Sequence, residues 1–129
     1  MKTLILVIAM CSSLYADRIE DALVRNKVPL RFYTLVKAIR LSENGGPGKE
    51  FGIMNEKAND YDSQAGWCAC TVWKNWLRYT KANNIDVNAD ITKDYIKFLG
   101  ARYCPEHLDP LNKNWIPNVT YHWEKLNEN

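Results

Sequence analysis

The chain of 129 residues predicts a mainly α, single-domain protein with a small β element beside one acidic residue. Three observations carry this expectation. Apolar residues recur at helical spacing through most of the chain, and residues 85–129 show no convincing strands. Cap and breaker residues punctuate the rows. Residues 45–60 form the one long irregular segment, glycine-rich at its start, with Phe51-Gly-Ile-Met54 as its apolar piece. A hydrophobic fraction of 47% is enough for one modest core.

Residues 1–16 read as a cleaved signal peptide. Lys2 is the positive n-region, Thr3 to Leu14 an apolar run too short to span a bilayer, and Ala16 a cleavage position before Asp17. Met10 before Cys11 is a poor match to lipoprotein processing. Export to the periplasm or the extracellular space is expected, with residues 17–129 as the mature domain. Asp17 to Lys27 predicts a short helix with Ile19, Ala22 and Leu23 inward. Pro29 suits the first position of the next helix, which runs to Glu43 or Asn44. Within segment 45–60, Phe51-Gly-Ile-Met54 predicts a short strand or hairpin. Asp62 or Ser63 caps a long helix whose inner row is Ala65, Ala69, Val72, Trp76 and Tyr79, read as core, and Asn83-Asn84 ends it. Thr92 caps a fourth helix, with Ile91 and Ile96 as a hydrophobic staple, and Pro105 stops it. Residues 105–113 are a loop. Asn114 caps a last helix whose inner row is Ile116, Val119, Trp123 and Leu126.

The acidic residue is Glu43. Phe32, Val36 and Ile39 recur at helical spacing, and Glu43, eleven positions after Phe32, falls within roughly 20° of the same face. It therefore lies on the buried side of its helix, where the chain breaks into Gly45, Gly46 and Gly48. These glycines supply the positive φ of a sharp turn. Burial disfavours an ionised carboxylate and raises its pKa. An acid kept protonated near neutrality is what a glycosidase needs to protonate a leaving oxygen.

Ser42-Glu43-Asn44-Gly45-Gly46 followed by Phe51-Gly52-Ile53-Met54 resembles the lysozyme-like lytic transglycosylases and their phage relatives. Tyr61, Gln64 and Asn118-x-x-Tyr121 extend the resemblance more weakly. Asn44 stands where Ser is common in that family, and Asn55 where Gln usually follows the Met. The resemblance implies a lysozyme-like helical domain that cleaves the MurNAc-GlcNAc bond of peptidoglycan. Glu43 would be its acid and base, first protonating the glycosidic oxygen and then taking the proton of the muramic 6-hydroxyl as the 1,6-anhydro ring closes. It implies sugar contacts at Asn44, Gly52, Ile53, Met54, Tyr61, Gln64 and Tyr121, with no cofactor and no metal. An ordinary hydrolase needs a second carboxylate. Glu50, Glu56, Asp60 and Asp62 are the candidates, and nothing in the sequence picks one.

Two other readings stand beside this one. Gly66-Trp67-Cys68-Ala69-Cys70-Thr71-Val72-Trp73 resembles the nucleophile region of cysteine amidases and peptidases of the cell wall, with Cys68 or Cys70 activated by His107 or His122. Against it, Cys68 sits well inside its helix, away from the end where the dipole lowers a thiol pKa. The other reading is a non-catalytic wall-binding or assembly module. Loss of residues 1–16 leaves 16 basic against 15 acidic residues, a net charge of +1 with no clustered basic footprint for nucleic acid. The expected partner is the glycan strand, met by a monomer with no membrane segment after cleavage. Cys68 and Cys70 point to different faces of one helix and do not pair with each other. Cys104 is placed to pair with one of them.

Overall fold

The structure, a computed structural model, describes residues 17–128. The expected signal peptide lies outside the described residues. The domain is mainly helical: α1 (Arg18–Arg25), a 3-10 turn (Leu30–Phe32), α2 (Tyr33–Glu43), α3 (Tyr61–Asn83), α4 (Lys93–Tyr103), a second 3-10 turn (Pro110–Asn114) and α5 (Trp115–Asn127). No helix among the described residues is long and apolar enough to cross a membrane.

Each helix starts where its chemistry allows. Asp17 caps α1 by accepting from the Ile19 N–H, and Ile19, Ala22 and Leu23 are buried as the spacing predicts. Thr92 caps α4 through the Tyr95 N–H. Buried Ile96 and half-buried Ile91 both join the core. Asn84 ends α3 in the left-handed region. Three boundaries differ from expectation. Pro29 precedes a 3-10 turn, and α2 begins only at Tyr33. Asp60, ahead of Asp62 and Ser63, caps α3 by accepting from the Ser63 N–H. Asn114 makes no side-chain cap, because the 3-10 turn capped by Asp109 runs straight into α5.

The core is one cluster. Leu35, Val36 and Ile39 of α2 are fully buried against Ala65, Cys68, Ala69, Val72 and Trp76 of α3 and Leu99 of α4. Each large apolar side chain contributes roughly 1.5–3 kcal/mol by leaving water. Phe32, Trp76 and Tyr95 meet edge to face at 5.8 and 5.0 Å, and Trp76 Nε1 donates to the Val87 carbonyl at 2.8 Å. The α3 row is therefore core, as its spacing predicts.

Two packing relations position the site. The most extensive helix pairing is α2 with α5. Thr34 near the start of α2 shares a cavity wall with Trp123 and Asn127 near the end of α5, so the two helices run antiparallel and the start of α5 reaches Glu43. Gly100 of α4 lets α5 close in, because a Cβ there would come within 2.5 Å of Ile116 Cγ1 and 2.9 Å of Trp115 Cε3.

The expected β element is absent: no strand occurs among the described residues. Segment 51–58 is held by a side chain where a partner strand was expected. Gln64 of α3 accepts from the Phe51 and Ile53 N–H groups at 3.1 Å each, and its amide donates to the carbonyls of Ile53 at 2.8 Å and Ala58 at 2.6 Å. Gly52 between them has φ +73°, which breaks an extended run. The expected disulfide is also absent, since Cys68, Cys70 and Cys104 are all free. Cys68 points into the core beside the Tyr103 hydroxyl, and Cys70 donates across to Asn26 Oδ1 at 3.4 Å on another face.

Candidate active site

Glu43 is the last residue of α2 and is half-buried. The turn that follows is made first by Asn44, in the left-handed region at φ 45°. Positive φ recurs at Gly48 and Gly52, whereas Gly45 and Gly46, expected to share that role, do not need it. Asn44 is exposed beside the carboxylate.

Three groups fix the Glu43 carboxyl. Trp115 Nε1, from the start of α5, donates to Oε1 at 2.9 Å. Gly52 lies against the other side: a Cβ there would stand 2.4 Å from Oε2 and 2.5 Å from Cδ. The carboxyl thus occupies space that only glycine leaves. Tyr103 supports both neighbours. Its ring packs on the Trp115 indole at 5.1 Å, and its hydroxyl donates to the Phe51 carbonyl at 2.5 Å, one residue before Gly52. Among the described residues, Oε2 accepts no hydrogen bond from the protein.

Burial pushes the Glu43 carboxyl above its ordinary 4.5, and the Trp115 N–H holds that rise back by favouring the ionised form. The negative end of the α2 dipole, where Glu43 sits, acts in the same direction as burial. No other carboxylate contributes to the shift. Of the four candidate partners, all but Glu50 are occupied elsewhere or exposed. Asp60 caps α3 and is held below the usual range by the Ser63 N–H. Asp62 pairs with Arg18 at 3.0 Å. Glu56 is exposed. Glu50 has a buried Oε1 without a partner, and its charge is felt at Arg18.

The remaining sequence candidates divide. Ile53 is half-buried against the core, and Met54 is 79% exposed on the same segment. Gln64 is fully buried, and its amide is spent on the loop backbone, so it offers no surface to a sugar. Tyr61 lies edge-on to Phe51 at 5.3 Å with the Arg18 guanidinium 4.4 Å over its ring. Tyr121 is exposed against His122 and lies about 240° around α5 from Trp115, so it is not brought to Glu43 through that contact. The α5 residue that reaches the carboxyl is Trp115, which sequence reasoning missed together with Tyr103. Trp115, Val119 and Trp123 are spaced by four, a signal available in the sequence.

Burial disfavours the thiolate at Cys68 and Cys104. Cys68 is fully buried, and burial pushes its thiol up to about 12. Cys104 is raised as well, by burial and then by the Glu43 charge. Among the described residues, no thiol is hydrogen-bonded to a histidine. His107 shares the wall of a cavity of about 280 Å³ with Cys104, and His122 packs on Tyr121. No protein-family model, curated protein or solved structure matches this chain.

Proposed function

We propose that the protein is a lysozyme-like lytic transglycosylase that cleaves the MurNAc-GlcNAc bond of peptidoglycan with Glu43 as acid and then base. The observation that carries this reading is the Glu43 carboxyl itself. It is half-buried, raised in pKa by desolvation, oriented through one oxygen by Trp115, and left with an Oε2 that accepts from no donor among the described residues. A protonated Glu43 gives its proton to the glycosidic oxygen as the bond breaks. The carboxylate then takes the proton of the muramic 6-hydroxyl, whose oxygen closes on the anomeric carbon to give the 1,6-anhydro product. Trp115 stabilises the carboxylate between the two steps by donating to Oε1.

Among the described residues no other carboxylate shifts the Glu43 pKa, and the intramolecular route is proposed over hydrolysis because it needs no partner to activate water or form a covalent adduct. Gly52 borders the carboxyl on the loop side; it is a proposed sugar contact together with Asn44, next in the chain to Glu43, and Ile53 and Met54, which follow Gly52. The test is digestion of purified peptidoglycan followed by mass spectrometry of the products. Anhydro ends are expected, and Glu43→Gln should lose at least about 10² in rate per folded molecule, the lower bound for an acid/base group. Reducing ends would replace the transglycosylase by a hydrolase. Cleaved stem peptides, or full activity in Glu43→Gln, would overturn the reading.

A further inference from the structure

A well-defined concavity of the domain lies away from the Glu43 carboxyl. It is an open groove of about 610 Å³ between α1 and α3, bordered by Arg25, Asn26, Asp60, Asp62, Trp67 and Lys74 among others. Its volume lies within the range of small-ligand sites. Three features show how it is built. Gly66 lies in its floor, inside α3, where glycine costs a helix about 1 kcal/mol relative to alanine. A Cβ at Gly66 would come 3.1 Å from Asn26 Nδ2 and narrow the groove. Trp67 turns its indole outward, 40% exposed. Lys74, two turns further along the same helix, takes part in none of the ion pairs among the described residues.

Charge distinguishes the two ends. At the start of α3, Asp62 is paired with Arg18, Arg25 donates to the Asp62 carbonyl at 3.3 Å, and Asp60 serves the helix cap. That end is internally balanced and offers fixed carboxylate acceptors and a guanidinium donor. At the other end stands Lys74, a cation that forms no ion pair among the described residues. From Ser63 to Lys74 the helix advances roughly 16 Å. An extended peptide of about five residues covers that distance.

We propose that this groove binds the peptide stem of peptidoglycan. The terminal carboxylate would sit at Lys74, an aliphatic face on Trp67, and the backbone N–H groups at the Asp60 and Asp62 carboxylates. The choice of a wall peptide rests on the reading of Glu43 as a peptidoglycan-cleaving acid. The groove makes the protein prefer peptide-bearing glycan over bare glycan without taking part in the chemistry.

The test uses the mature protein and a synthetic stem pentapeptide with a free terminal carboxylate, titrated by calorimetry. Saturable binding is expected. Lys74→Glu removes one exposed ion pair and adds a repulsion of similar size, so the dissociation constant should rise by about tenfold. Amidation of the peptide terminus should weaken binding to the wild type, and Trp67→Ala should weaken it severalfold. Both residues are exposed, so these variants keep the fold, which circular dichroism verifies. No saturable binding, equal affinity in Lys74→Glu, or displacement of the peptide by peptide-free glycan would overturn the proposal. The two readings fail separately. Peptide binding by a protein that leaves glycan intact defeats the cleavage reading, whereas anhydro products without peptide binding defeat the groove.

Discussion

Gly52→Ala tests the geometry of the candidate site more sharply than removal of the acid. The new Cβ would stand 2.4 Å from Glu43 Oε2, about 1 Å inside ordinary contact. Gly52 also holds φ +73°, where a side chain costs an L-residue roughly 1–2 kcal/mol. The backbone is pinned on both sides of Gly52 by Gln64 and on one by Tyr103, so the Glu43 carboxyl must yield. Yielding stretches or breaks the 2.9 Å bond from Trp115. A displacement of about 1 Å at a reacting group can cost on the order of 10² in rate. The expected outcome is a melting temperature lowered by about 4–8 °C per kcal/mol lost, and muropeptide release per folded molecule down about 10²-fold. Thermal melts followed by circular dichroism, with quantified anhydro-muropeptides, measure both. A Gly52→Ala protein that is destabilised yet fully active would refute the claim that Glu43 works from its position over Gly52.

Four further outcomes follow from the structure. Because the folded pKa of Glu43 is raised above 4.5, the folded state binds more protons than the unfolded one. Stability should therefore fall as pH rises from about 4.5 through the folded value, and Glu43→Gln should remove that loss; parallel melts against pH would refute it by showing no difference in slope. Trp115→Phe deletes the donor that lowers the Glu43 pKa, so the alkaline limb of the activity profile should move to higher pH, and a downward shift would contradict the assigned role. Gln64→Ala strips four backbone groups of their partner and should cost about 3 kcal/mol or more in chemical denaturation, whereas a change within error would show that the clamp is dispensable. The thiols of Cys68, Cys70 and Cys104 should all titrate after unfolding, Cys68 last in the native protein, and added reductant should leave the melting temperature of the mature chain unchanged.

Much of the helical frame was legible in the sequence, because burial writes a period of 3.6 directly into residue order. The rows through Phe32, Val36 and Ile39 and through Ala65, Val72 and Trp76 are core in the structure. Thr92 and Asn84 were equally legible, since each is a suitable cap at the edge of its row. The start of α3 was ambiguous because Asp60, Asp62 and Ser63 compete within four residues, and the path of the preceding loop decides among them. Phe51-Gly-Ile-Met54 looked like a strand because its local pattern does not reveal that the hydrogen-bond partner is a glutamine on a distant helix. The half-buried position of Glu43 at the end of a buried row was readable, but its donor was not. The contact with Trp115 spans 72 residues and exists only because α5 packs antiparallel on α2. The cysteine pairing failed for a related reason. Spacing shows which faces thiols occupy, not whether two helices bring those faces together.

The hold of Gln64 on segment 51–58 has a consequence for how the domain opens. Four hydrogen bonds from that segment converge on one terminal amide, carried by the first turn of α3. The wall beside Glu43 thus has no separate melting step: it cannot detach without stripping a buried amide, and it must detach when the start of α3 unwinds. Hydrogen exchange at the Phe51 and Ile53 amides should report the same opening event as the first turns of α3. The exposed tip from Met54 to Lys57 donates none of these bonds to Gln64. Residues there can be exchanged without loosening the wall, so the segment joins a rigid base to an interchangeable edge, and new ligand preferences can arise at that edge without cost to the fold.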